Sequence, residues 1–102
     1  MTWHEKIGLL VICQDETGQE MFGFDVNEDN ITQWTTTYPI HEEAMISYVD
    51  EIIISQIDDN TYWIFVEDND VTDLKERPNK KANVKVFVWT KDALAFKGIL
   101  TN

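Results

Sequence analysis

The distribution of charge along the chain limits where each segment can lie in a folded protein. From Ile7 to Leu74 there are 16 acidic residues and no lysine or arginine, although the whole chain carries 8 basic residues. Carboxylates are rarely buried without a partner, so the acidic pairs in this stretch should be solvated. We expect four of them in or beside turns and two at the ends of a helix. The six pairs are Asp15-Glu16, Glu28-Asp29, Glu42-Glu43, Asp50-Glu51, Asp58-Asp59 and Glu67-Asp68.

Length and composition restrict the class of protein. A chain of 102 residues is expected to form one domain, and 12% aromatic residues separate it from disordered acidic chains. A net charge of −11 argues against direct binding to nucleic acid or to anionic membranes. The one cysteine, Cys13, suits a reducing compartment. With no signal-peptide pattern at the start, the sequence predicts a cytoplasmic protein.

Short apolar runs between turn residues predict β-strands in the first third of the chain. Ile7–Cys13 predicts a buried strand and Glu20–Val26 its hairpin partner, because a turn containing Gly18 separates them. The apolar residues of the second run do not alternate cleanly, so we expect a bulge near Gly23. Ile31–Tyr38, which is rich in threonine and aromatic residues, predicts a third strand.

A change of period after Pro39 predicts the main helix. The apolar residues of 40–53 recur at intervals that place them on one face of a helix. Proline suits the first helical turn, and the two glutamates that follow suit the positive end of the helix dipole. We therefore predict a helix over Pro39–Asp50.

The second half of the chain predicts further strands. Glu51–Ile57 is ambiguous, because it would extend the helix while its isoleucines favour a strand. We predict a hairpin of Ile52–Ile57 with Thr61–Val66 and a strand over Ala82–Trp89. Lys91–Asn102 fits either a short helix or an edge strand. The predicted class is α+β: a mostly antiparallel sheet of about six strands, with one main helix packed on one face, in a single domain spanning residues 1–102.

The acidic residues are the candidate partner-binding site. Asp25, Asn27 and Asp29 match the start of a calcium loop, but that loop's glycine and its bidentate glutamate are missing. No catalytic residue, metal site or cofactor is predicted. The predicted partner-binding residues are Asp15, Glu16, Glu28, Asp29, Glu42, Glu43, Asp50, Glu51, Asp58, Asp59, Glu67, Asp68 and Asp70.

Clustered acidic residues weaken a fold because like charges repel one another. We therefore expect their electrostatic field to have a function, which is to steer a basic partner toward the protein. We expect a non-enzymatic acidic protein that inhibits a nuclease or another nucleic-acid-binding protein by imitating nucleic-acid charge. In charge and size alone, the chain resembles anti-defence proteins and immunity proteins against nuclease toxins. This hypothesis predicts one contiguous acidic face with exposed aromatic residues nearby.

Three alternatives stay open. The first is that the chain is a stand-alone structural or adaptor domain whose acids serve solubility; this predicts acids spread evenly over the surface. The second is that it is an enzyme; this predicts at least two carboxylates with raised pKa values that converge in a cleft. Finally, the basic patch of Lys75, Arg77, Lys80 and Lys81 would dock on the acidic surface of the same molecule or of a second copy, giving a homodimer.

Overall fold

The described part of the protein is built mainly from β-strands. The computed structural model describes residues 1–16, 18–46, 49–68 and 83–101, with the backbone alone for Asp15 and Thr101. Of the described residues, 70% are in strands and 4% are helical, and they contain no helix of seven residues or more. The predicted α+β class with one main helix is therefore wrong. The strands form two antiparallel sheets, and the chain divides into two compact units, Met1–Met45 and Ile46–Asn102.

The first unit carries a five-stranded sheet in the order β1-β2-β3-β4, with β5 also paired to β3. The hairpin of β2 with β3 confirms the first predicted strand pair. Gly18 opens β3 with φ of 136°, a conformation that glycine adopts readily because it has no Cβ. The strands of this unit are β1 (Thr2–His4), β2 (Gly8–Asp15), β3 (Gly18–Val26), β4 (Ile31–Gln33) and β5 (Tyr38–Ile40).

The predicted bulge at Gly23 is wrong. The register of β2 with β3 runs without a shift through Leu10 opposite Gly23. Met21 and Gly23 are buried on one face, and Phe22 and Phe24 lie on the other. Buried and partly exposed positions therefore alternate along this part of β3, with Gly23 among the buried ones. A Cβ on Gly23 would lie 2.6 Å from the indole of Trp34, which packs over the bare backbone.

The third predicted strand is split into two edge segments. β4 and β5 both pair with β3, and residues 34–37 between them leave the ladder. Pro39 lies inside β5 instead of starting a helix, which an edge strand permits because its outward N–H needs no ladder partner. Ile40 faces inward beside Gln19 and is buried.

The predicted helix over Pro39–Asp50 is wrong. Its start belongs to β5, a single 3₁₀ turn covers Glu42–Ala44, and β6 has begun by Val49. The helix-like spacing arose because apolar residues of two separate strands were read as one face. Branched residues favour the pleated strand, and β7 supplies the partner that β6 needs.

The second unit is a four-stranded antiparallel meander, β6-β7-β8-β9. Its first hairpin confirms the predicted pairing of Ile52–Ile57 with Thr61–Val66, and β8 confirms the strand predicted over Ala82–Trp89. The C-terminal segment takes the strand alternative. The strands are β6 (Val49–Asp58), β7 (Thr61–Asp68), β8 (Asn83–Trp89) and β9 (Leu94–Thr101).

Both faces of the second sheet carry apolar side chains. On one, which we call the Ile64 face, the buried residues of β7 and β8 lie opposite one another, Tyr62 by Trp89 and Ile64 by Phe87. The opposite face, the Phe65 face, is partly exposed. The prediction of a single domain over residues 1–102 stays a prediction.

Candidate partner-binding surface

In the first unit the acidic residues of the predicted site lie at both ends of the sheet. Glu16 is in the β2–β3 turn, and Glu42 and Glu43 follow β5 at the same end, because Ile40 pairs with Gln19 at the start of β3. Glu28 and Asp29 are in the β3–β4 turn at the other end. A nine-residue strand rising about 3.3 Å per residue separates the two groups by roughly 25 Å.

The second unit has the same two-ended arrangement. Asp58 and Asp59 form the β6–β7 turn, whereas Asp50, Glu51 and Glu67 lie at the opposite end of that hairpin. Among the described acids of the predicted site, neither unit shows the single face that charge mimicry predicts or the even spread that solubility predicts. These acids make two groups at opposite ends of each sheet.

The structure places most of the predicted site residues in solvent. Glu67 is partly exposed, Asp68 is buried, the side chain of Asp15 is not described, and Asp70 lies outside the described residues together with the predicted basic patch. The exposed ones are Glu16, Glu28, Asp29, Glu42, Glu43, Asp50, Glu51, Asp58 and Asp59.

The expectation that every acidic pair is solvated is wrong for Asp68. Its side chain is 2% exposed, and its Oδ2 accepts a hydrogen bond of 2.6 Å from Nζ of Lys85, which is 11% exposed. Both residues point to the Ile64 face, because Val66 lies opposite Lys85 and Asp68 is two residues further along β7. Sequence position alone grouped Asp68 with Glu67, although alternation sends neighbouring side chains to opposite faces.

The two well-defined acidic turns are held by their own side chains. Oδ1 of Asn27 accepts hydrogen bonds from the backbone N–H groups of Asp29 and Asn30. Oδ1 of Asp58 accepts one from the N–H of Asn60 at 2.9 Å. That backbone bond, helped by the Thr61 hydroxyl, holds the pKa of Asp58 below its usual range.

The Phe65 face combines acidic and aromatic side chains in an ordered array. Directly opposed residues on neighbouring strands place their side chains on the same face. One row across the sheet is therefore Glu51, Glu67, Val84 and Leu100. The next is Ile53, Phe65, Val86 and Gly98. The third is Ser55, Trp63, Val88 and Ala95.

Two aromatic residues of the Phe65 face, Trp63 and Phe65, are absent from the partner-binding residues predicted from the sequence. Both are partly exposed, and their rings stack at a centroid distance of 6.2 Å with an interplanar angle of 24°. Alternation within Thr61–Asp68 was the signal that would have found them, because it separates Trp63, Phe65 and Glu67 from the buried residues of the same strand.

The described ranges contain neither a metal-binding cluster nor a membrane-spanning helix. There, no group of three or more histidine, cysteine or acidic side chains is arranged to hold a metal ion. No helix in that part of the chain is long and apolar enough to cross a membrane. No family model, curated protein or solved structure matches this chain.

Proposed function

We propose that this protein is a non-enzymatic acidic binding protein that inhibits a basic, nucleic-acid-acting protein by presenting carboxylates in place of phosphates. The proposal includes the anti-defence and immunity roles that the charge and size suggest. It rests on the net charge of the chain and on the placement of two acidic side chains opposite each other in the second sheet.

The observation that carries the proposal is the placement of Glu51 directly opposite Glu67 on neighbouring strands. Opposed side chains of this kind have Cβ atoms about 4.5–5.5 Å apart, and like charges there destabilise a sheet. A lysine at either position would turn repulsion into attraction. Solubility does not require this arrangement, because the turns already supply exposed acids such as Asp58 and Asp59.

The two-ended arrangement supports binding over an extended basic surface. Groups separated by roughly 25 Å, a distance set by strand length, engage phosphate-binding residues at separate points of a cleft. Long-range attraction of this kind raises the association rate and weakens as salt is added. The competing proposal, acidity for solubility alone, predicts no partner that nucleic acid displaces.

The proposal is tested by capture followed by competition. The immobilised protein is incubated with lysate of its host, and of that host's mobile elements, at low and at high salt. We expect a basic nucleic-acid-binding protein to be retained at low salt. The purified partner should then be released by duplex DNA or RNA, and its activity on nucleic acid should be inhibited in proportion to the amount of added protein.

A matched pair of variants separates position from net charge. Replacing Asp58 and Asp59 with asparagine removes two charges from the predicted site, and replacing Glu5 with glutamine and Asp92 with asparagine removes two exposed charges outside it. The first variant should weaken inhibition more than the second. Equal weakening would reduce the effect to net charge, and a retained partner that nucleic acid does not displace would refute charge mimicry.

A further inference from the structure

We propose that the Phe65 face of the second sheet is the docking surface and that it receives an arginine side chain of the partner, held between Glu51, Glu67 and the Trp63–Phe65 stack. This inference rests on the proposed function and specifies the partner's chemistry at one place. It rests on register, exposure and charge on one sheet face.

The first step is the line of side chains along β7. Trp63, Phe65 and Glu67 alternate on one face, so two stacked rings lead directly to a carboxylate. Each of the three keeps part of its surface exposed. The apolar stem of a long cationic side chain fits along such rings, while its charged head reaches the carboxylate beyond them.

The second step is the neighbouring carboxylate of Glu51. Its place opposite Glu67 puts two acceptors at one end of the aromatic line. A guanidinium group is planar and donates several N–H bonds in a fixed fork, so one arginine bridges two carboxylates and stacks on an aromatic ring. A lysine ammonium group is a compact, strongly hydrated charge that does neither as well.

The third step is the apolar surround. Ile53 beside Phe65 is 53% exposed, and Leu100 in the row of Glu67 is 57% exposed. Exposed apolar groups around a charged pair exclude water when a partner covers them, and this strengthens the pair. The three rows contain no lysine or arginine, and the exposed Lys97 falls in the β8–β9 register shift between Phe96 and Gly98, outside those rows.

Charge complementarity decides between a basic partner and a second copy. Each copy carries a net charge of −11, so two copies repel at long range. Pairing two such faces would also bring the four carboxylates of two Glu51 and two Glu67 side chains together. A basic partner relieves the repulsion between Glu51 and Glu67, whereas a second copy adds to it.

The test compares hexa-arginine with hexa-lysine peptide, which carry equal charge. Binding is followed by the indole N–H resonance of Trp63, assigned from the Trp63→Phe variant. We expect the arginine peptide to bind at least roughly fivefold more tightly and to shift that resonance, because guanidinium both stacks and bridges. Glu51→Gln and Glu67→Gln should each abolish the preference. Glu5→Gln, which removes one exposed charge outside the predicted site, should retain it.

The outcomes separate this inference from the proposed function. Equal binding of the two peptides, or equal loss of preference in Glu5→Gln, would overturn the arginine site. Sedimentation that showed a dimer with a protected Trp63 indole would assign the face to a second copy. None of these results would bear on the capture experiment. The proposed function would be overturned only if no basic partner were captured.

Discussion

Removing Lys85 alone should destabilise the protein strongly, because it leaves the buried carboxylate of Asp68 without the ammonium group that now donates to it. Nζ of Lys85 lies 2.6 Å from Oδ2 of Asp68, and the side chains of Lys85 and Asp68 are 11% and 2% exposed, respectively. Breaking a buried ion pair from one side costs about 3–5 kcal/mol. A chain of this length has a free energy of unfolding of roughly 5–15 kcal/mol, so Lys85→Met removes at least about a fifth of it.

The companion variant separates the charge effect from packing. Replacing Asp68 with leucine in the Lys85→Met background leaves no unpaired charge, so we expect stability within about 1 kcal/mol of the wild type or above it. Lys97→Met, at an exposed lysine on β9, is the control and should change stability by less than about 0.5 kcal/mol.

Urea unfolding followed by tryptophan fluorescence measures these differences. A loss of about 3–5 kcal/mol corresponds to a fall in melting temperature of roughly 12–40 °C for a domain of this size. If Lys85→Met cost less than about 1 kcal/mol, or if the double variant were as unstable as the single one, the account of a dehydrated ion pair within the sheet would be refuted.

Three smaller predictions follow from other contacts. Glu51→Gln should raise the free energy of unfolding by about 0.2–1 kcal/mol, because it removes repulsion from Glu67, and an unchanged urea midpoint would count against that register. Gly23→Ala should cost about 1–3 kcal/mol and perturb Trp34 fluorescence, since the added Cβ meets the indole at 2.6 Å; wild-type stability would contradict this packing. Asp58 should titrate below its ordinary pKa by NMR, so its stabilising contribution is present at neutral pH and is lost as pH falls through that lowered value. An ordinary or raised pKa would refute the turn geometry.

Local patterns predicted the strand pairs because each hairpin is encoded within a short segment. Ile7–Cys13 and Thr61–Val66 combine branched or aromatic residues with adjacent turn residues, so their partners lie close in sequence. The helix over Pro39–Asp50 failed for the opposite reason. Ile40 finds its partner in Gln19, about twenty residues earlier, and a helical period cannot be distinguished from two short strands until that pairing is known.

The candidate site was predictable in composition and only partly in geometry. Exposure of acids in turns followed from turn chemistry, as at Asp58. The opposition of Glu51 to Glu67 depends on register across a hairpin that carries register shifts at both ends, so sequence spacing does not give it. Burial of Asp68 follows from the same register, because Lys85 reaches it from the neighbouring strand.

The most direct test of the central claim is a competition measurement on the captured partner. The partner's affinity for labelled duplex DNA or RNA is measured with increasing amounts of this protein, at low and at high salt. Charge mimicry predicts mutually exclusive binding, with an inhibition constant that weakens steeply as salt rises. A ternary complex of partner, nucleic acid and this protein, or inhibition that salt leaves unchanged, would contradict the account.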